Sequence, residues 1–569
     1  MRDASSASSS AALSALGQSA AGSTRAPGKF PDRTLVGIVV LLIAYAAAIA
    51  SGWPQHGRDL LVQAQVTSVA GVPAPDAQPA TDAQPATDAQ PATDAGGIVD
   101  PSVAEATHAQ GHSAGQSPPP ITVLPFVLLL AAIAIVPLTS TLSHWWEHNS
   151  SKFLVATGLA LVTIAYYALL HRHAVDLHFP CHSSVAPALT GPSWGVAGAV
   201  LANALLAEYV PFIVLLFALY VIAGGVRIEG DLIATPTVNA AFLGIGALAS
   251  SLIGTTGAAM LLVRPLLETN RERHRVAHTV VFFIFLVCNC GGCLLPIGDP
   301  PLFLGYLEGV DFFWTLSLWR QWLFTNGCLL FIYWVWDSFF EYPREKTSDL
   351  LLDRLQAGSL QIGGLWPNAF LMIGVIAAVA LLDPAKAVLG TLWHPWIFLR
   401  EAVLLGLVGL SLTLGSSAIR AKNCFSYGAI LEVAALFLGI FVCMQPALAL
   451  LHEHGARLGI SSPRAFFWAT GSLSAVLDNA PTYLVFFKTA QALPADGATM
   501  AGVAVGRLAA VSLGAVFLGA MTYIGNGPNF MVKAIAEQSG VRMPSFFGYM
   551  LYSFGVLLPV FMLVSLLFF

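Results

Sequence analysis

Two octapeptides carry residue types suited to holding an ion: Ile297-Gly298-Asp299-Pro300-Pro301-Leu302-Phe303-Leu304 and Ile524-Gly525-Asn526-Gly527-Pro528-Asn529-Phe530-Met531. They lie about 227 residues apart and agree at four of eight positions. Pro300 and Pro301 cannot donate backbone hydrogen bonds and their rings clash with the preceding turn, so a helix running into them breaks at Asp299. The carbonyls of Pro296 and Ile297 then lose their helical donors. Together with the Asp299 carboxylate and the hydroxyls of Thr255 and Thr256, they make an oxygen set suited to a hard cation such as sodium. The second copy offers Asp478, Asn479, Thr482 and Asn526, and Gly525 and Gly527 permit backbone angles closed to other residues. A single Gly-Asp-Pro-Pro is explained equally well as a capped kink. The pairing of such breaks across two copies favours ion binding.

The elements that position these residues belong in lipid. Of 569 residues, 56% are hydrophobic and 10% charged, with a mean hydropathy of +0.72, whereas soluble domains carry about a quarter charged residues. A net charge of −5 without any basic patch excludes a nucleic-acid partner. His-Glu-x-x-His and Gly-x-Ser-x-Gly are absent, so the chain reads as no enzyme and calls for no cofactor. The cysteines mostly lie in apolar stretches, which argues against a disulfide framework. The Cys288–Cys293 cluster lacks a matching pair at metal-site spacing, and helix packing explains its small residues better than zinc does.

Spanning candidates fall at 34–53, 121–140, 153–170, 194–224, 278–310, 314–336, 366–383, 394–415, 424–450, 502–528 and 546–568. Two further apolar stretches, 237–267 and 465–488, are interrupted by Gly254-Thr255-Thr256-Gly257 and by Asp478-Asn479-Ala480-Pro481. Their halves are too short to span separately. If both are re-entrant hairpins, the basic segments at Arg271/Arg273/Arg275, Arg344/Lys346/Arg354 and Arg420/Lys422 all fall on the cytoplasmic side. The expected fold is an all-α polytopic membrane protein with about 11 spanning helices and two re-entrant hairpins. These form two inverted repeats, 121–340 and 366–569, with discontinuous helices at the midplane. Residues 1–33 read as a disordered cytoplasmic tail and 34–53 as a spanning helix or signal anchor. Residues 54–120, with a PATDAQ repeat and His108 and His112, read as a low-complexity external segment, and 341–365 as a cytoplasmic linker.

Asp478 at hydrocarbon depth is costly unless paired or hydrated, which marks it as functional. Glu208 and Glu432, about 224 residues apart in apolar helices, are candidates for proton coupling, with helix-end carboxylates the alternative. Arg264, Lys488, Arg507 and Lys533 flank apolar runs and read as interfacial anchors. So do the histidines of His144–His148 and those at 171, 173, 178 and 182.

Leu477-Asp478-Asn479-Ala480-Pro481, Gly291-Gly292, the run Pro296–Gly305 and Glu432-Val433-Ala434 with Phe437 resemble the ion transporter superfamily over about 121–569. Within it, the citrate-transport and NhaD-type sodium/proton antiporter branches are most similar. The resemblance implies a scaffold with an elevator-like moving domain, usually in a homodimer. It also implies a substrate site at 254–257, 298–301, 478–481 and 525–528, which adds Gly298 and Pro300 to the residues above. One departure is that the sodium–dicarboxylate branch carries Ser-Asn-Thr at both tips. The expected activity is secondary transport across a lipid bilayer, in a bacterial-type inner membrane with the N-terminus inside and the C-terminus outside. Sodium/proton antiport through Asp299 and Asp478 is favoured, because no cationic side chain sits at either tip to receive an anion. A sodium- or proton-coupled citrate or dicarboxylate symporter is the alternative.

Overall fold

The computed structural model describes residues 30–70, 118–139, 141–177, 183–388, 391–495 and 497–569. The first 29 residues, the PATDAQ repeat, His108, His112, His178, Cys181 and His182 lie outside them. The described chain is mostly helical, with a few two-stranded ribbons.

Helices α1 (Phe30–Ala50) and α2 (Trp53–Ala70) are joined by a turn in which Gly52 has φ +77°. Residues 54–70, the start of the segment expected to be low in complexity and external, are helical with Trp53. Pro54, near the start of α2, suits a helix N-terminus, and the apolar run Leu60–Val62 lies within it. Helices α3 (Leu124–Ile135), α4 (Asn149–Leu169) and α5 (Trp194–Ala202) follow. A π-helical turn, Asn203–Tyr209, carries α5 into α6 (Val210–Ala223).

Next comes the first hairpin, α7 (Pro236–Ile253) and α8 (Thr255–Thr269). Thr235 caps α7 by accepting the Val238 N–H at 3.3 Å, with Pro236 in the first turn. The turn between the arms is Gly254 alone, at φ +82°, a conformation that a Cβ disfavours. Expected span 278–310 is two short helices, α9 (Ala277–Leu286) and α10 (Pro300–Leu307), separated by an extended and 3₁₀ stretch. Residues of α9 are buried all round, as befits the centre of a bundle.

After α11 (Trp319–Trp336) comes the stretch expected to be a linker. It forms α12 (Thr347–Gln356) and a strand, Gln361–Gly363, that pairs antiparallel with Arg227–Glu229. A buried ion pair secures this end: Arg273 reaches Asp337 at 3.0 and 2.5 Å, and His278 Nε2 lies 3.1 Å from the same carboxylate.

Helices α13 (Leu365–Leu381), α14 (Leu399–Leu414), α15 (Gly428–Cys443) and α16 (Gln445–His454) lead to a second hairpin, α17 (Pro463–Ser474) and α18 (Asn479–Gln491). Ser462 caps it from the Ala465 N–H at 3.2 Å, with Pro463 following. That is the same device as Thr235-Pro236. A second broken segment, α19 (Val505–Leu518) and α20 (Gly527–Gln538), and the terminal α21 (Phe546–Phe568) complete the chain.

Six described helical stretches are long and apolar enough to cross a membrane, or seven if the bent pair α15–α16 is one span; one of the six is α7, the 18-residue first arm of the first hairpin, which was expected to be too short to span by itself. The count falls short of the expected 11. The broken segments divide into short helices, and α3, α13 and α19 are apolar but shorter than a full crossing. Two groups of helices emerge from the packing. Helices α1, α4, α6, α13, α14 and α15 lie against one another, while the hairpins pack with α9, α10, α11, α19, α20 and α21.

Candidate functional site

The two breaks are built alike. Asp299 caps α10 with φ −142° and ψ 141°; Asn526 caps α20 with φ −150° and ψ 140°. Gly298 and Gly525 precede them where backbone passes backbone. A Cβ on Gly525 would stand 2.6 Å from the Gly519 carbonyl oxygen and 2.8 Å from that of Ser474, and one on Gly298 would collide with the Gly292 carbonyl. Each break is sewn to its own hairpin by a hydroxyl. Ser251 Oγ donates to the Gly291 carbonyl at 2.5 Å, and Thr522 Oγ1 to the Ala475 carbonyl at 2.6 Å. The Gly298 carbonyl, outside α10, accepts the Thr255 N–H at 2.8 Å.

The two copies meet at Asp299, whose carboxylate is buried. Thr255 Oγ1 donates to Oδ1 at 2.8 Å, Asn479 Nδ2 to Oδ2 at 2.7 Å and Asn526 Nδ2 to Oδ1 at 3.2 Å. Asn526 also donates to the Cys288 carbonyl at 2.9 Å. Beside it, Asn289 Nδ2 reaches Asn529 Oδ1 at 2.8 Å, and Asn529 in turn donates to the carbonyls of Gly519 and Thr522. The first residues of four helices, α8, α10, α18 and α20, are thereby linked around one carboxylate. Each helix start carries a partial positive charge and N–H groups without intrahelical acceptors. No Lys or Arg side chain bonds to Asp299 among the described residues.

In front of this cluster lies a cavity between the two helix groups. Gly254–Gly257, Gly298 and Pro300 line one side, and Leu216, Leu219, Tyr220, Ile430 and Val433 the other. Thr255, Thr256, Gly298 and Pro300 therefore face this space, and Thr255 also bonds to Asp299, whose other donors are Asn479 and Asn526. A second cavity adjoins it, sharing Tyr220 and Gly257 and reaching Arg264 and Asn423.

The other candidates are placed differently. Asp478 accepts the Ala480 N–H at 3.2 Å and so caps α18. Thr482 is turned to its own helix, donating to the Asp478 carbonyl at 2.9 Å. Glu432 on α15 is 2.6 Å from Lys152 on α4, an ion pair inside the first helix group. Two basic residues read as interfacial anchors are inside the protein. Lys488 pairs with Glu308 at 2.5 Å, and buried Arg507 donates to the Ser461 and Pro494 carbonyls at 2.9 and 2.6 Å.

Compared with known families, residues 175–569 match one described as putative citrate transport. The chain belongs to that family. Membership points to a transporter, and together with the apolar helices to an integral membrane protein. No curated protein matches the chain. For this citrate-transport family member, the matched stretch contains both hairpins, both breaks and every candidate site residue.

Sequence reading missed Asn289, Asn529, Lys488 with Glu308, and Arg400. The last is buried over the rings of Phe303 and Tyr306 in α10. The asparagines had a signal, being amides inside apolar runs. The Lys488–Glu308 pair had none, because its two residues are remote in sequence.

Proposed function

We propose that the chain carries citrate, or a carboxylate like it, together with a cation. The cation is held at Asp299, and the anion is bound at the first turns of α8 and α10. The observation that carries this reading is the Asp299 cluster, where one buried carboxylate is held by three neutral donors from both halves of the chain. A buried carboxylate with no cationic partner is a place for sodium or a proton. The cavity before it opens on the helix starts at Thr255 and Pro300, and the N–H groups of Thr256 and Gly257 lie in a turn that offers them no helical carbonyl. With a cation neutralising Asp299, this position attracts a carboxylate. Arg264 in the adjoining cavity meets no carboxylate among the described residues, only Cys424 Sγ at 3.7 Å, and supplies a forked cation on the approach. The two hairpin-and-break copies act as inverted repeats whose group moves against the other helices to expose the cavity on either side.

Sodium/proton antiport is the second reading, favoured by the apolar lining of the main cavity, where Thr255 and Thr256 supply the hydroxyls beside Tyr220. Liposomes containing the purified protein and an internal pH dye separate the two. Citrate uptake that requires a cation supports symport. Sodium-triggered proton movement without citrate, lost in Asp299→Asn, would establish antiport instead.

A further inference from the structure

Glu208 stands near the middle of Trp194–Ala223, a 30-residue apolar stretch of hydropathy 2.3. The backbone there leaves the α-helix for the π-helical turn Asn203–Tyr209, an irregularity frequent at functional positions. Glu208 Oε1 receives only a long contact from Gln445 Nε2, 3.4 Å. Its Oε2 is shut off from solvent and meets no donor.

Helix α10 packs against this turn. At its end Glu308 holds Lys488 of α18 at 2.5 Å, with the side chains 18% and 20% exposed. Helix α18 packs in turn along α10, so the Glu308–Lys488 pair lies on elements joined to the turn that carries Glu208. The remaining neighbours are committed elsewhere. Tyr209 donates to the Ala434 carbonyl at 3.0 Å, the Tyr483 hydroxyl of α18 lies against Gly305 of α10, and Glu432 of α15 is held by Lys152. The Lys488 ammonium thus sits on Glu308, while Glu208, on the turn against which α10 packs, has no cation on it among the described residues. Glu208 belongs to the first helix group, and Glu308 and Lys488 to the second.

We infer that Glu208 is a proton-binding residue of the transport cycle, separate from Asp299, and that Lys488 sets its state by pairing with Glu308 in one conformation and with Glu208 in another. An uncompensated carboxylate at this depth costs several kcal/mol, so the one without Lys488 takes a proton unless it reaches water. Here Lys488 sits on Glu308, and Glu208 keeps its proton. When α10 and α18 shift along the π-turn, Lys488 reaches Glu208, one proton leaves to water, and Glu308 at the end of its helix is left to solvent. The inference requires that the chain be a carrier, which its family establishes, but not that citrate or sodium be its cargo.

Infrared difference spectra of the purified full chain between acidic and alkaline buffer report protonated carboxyls through their C=O stretch, with no substrate present. Glu208→Gln is expected to lose one such band. Glu308→Gln frees Lys488 for Glu208 and lowers the midpoint at which that band is lost, whereas Lys488→Gln gains a second band because both carboxylates then lack an ammonium. A Glu208→Gln spectrum identical to wild type overturns the inference. If that variant fails to fold, Glu208→Asp keeps the carboxyl and moves its titration midpoint; an unmoved midpoint is equally fatal. Because Asp299→Asn leaves the Glu208 band in place, failure here is distinguishable from failure of the cation site.

Discussion

Thr255 and Asn479 hold opposite oxygens of the same carboxylate, Asp299, at 2.8 and 2.7 Å. They occupy equivalent places about 224 residues apart, each at the first residue of a hairpin's second arm. Neither hairpin makes the site alone. The carboxylate comes from the first break, and Asn526 of the second break adds a further donor. A displacement of either hairpin must therefore disturb the Asp299 pocket, which is how binding there can be linked to movement of the whole group.

Asp299→Asn should fold, since the amide fills the same space, but it loses the charge that a cation needs. Hydrogen bonds to a charged group are worth about 1.5–3 kcal/mol, roughly a 10- to 100-fold loss in cation affinity. The dependence of uptake on external cation concentration measures this directly. Unchanged cation dependence would remove Asp299 from the site.

Gly298→Ala and Gly525→Ala place a methyl group against a backbone carbonyl, whereas nothing lies within 4 Å of a Cβ on Gly527. Overpacking at the first two should cost about 1–3 kcal/mol, and Gly527→Ala should stay near wild type. Thermal unfolding in detergent compares the three.

Arg264→Gln is expected to raise the KM for citrate with little change in kcat, because the guanidinium serves approach rather than the cation site. The same variant should flatten the decline of uptake with ionic strength, as expected of a steering charge. An unaltered KM would leave Arg264 as a membrane-surface anchor.

Glu432→Gln should retain most transport, since the carboxylate is occupied by Lys152 within the first helix group. With Glu432 43% exposed, the pair is worth roughly 1 kcal/mol or less, and a modest fall in Tm is expected. Abolished proton coupling with an unchanged Tm would restore Glu432 as a proton carrier.

Asp231, Glu272 and Asp353 crowd together outside the spanning helices, with ligand oxygens within 4.8 Å of one another. Burial raises Asp231 above the usual aspartate range, and the charges of Glu272 and Asp353 add to it; burial raises Asp353 as well. A raised carboxyl disfavours the folded state once it ionises, so stability falls as pH rises through that window and stays lower at neutral pH. Asp231→Asn should raise Tm at neutral pH and change it little in acid. A Tm gain of equal size at both would refute the electrostatic origin.

Much of the site was legible because proline and glycine act locally. Pro300-Pro301 dictates a break at Asp299 wherever the segment packs, and Gly254 or Asp478-Asn479 marks a hairpin tip for the same reason. Side-chain direction was not legible. Thr482 looked like a ligand from its place one turn into α18, yet its hydroxyl returns to the Asp478 carbonyl, a bond open to any helical threonine. Lys488 read as a snorkelling anchor because its partner Glu308 stands 180 positions earlier.

The sequence by itself determined that the chain lives in a membrane, that its helices break at two matching places, and that it resembles the citrate-transport branch to which it belongs. Those are consequences of composition and of backbone chemistry that neighbours cannot change. The tertiary structure alone decided that Asp299, rather than Asp478, is the carboxylate on which both halves converge, and that one oxygen of Glu208 is buried and meets no donor. A buried charge takes its role from the donors that surround it, and here two of the three donors come from segments 180 and 227 residues away.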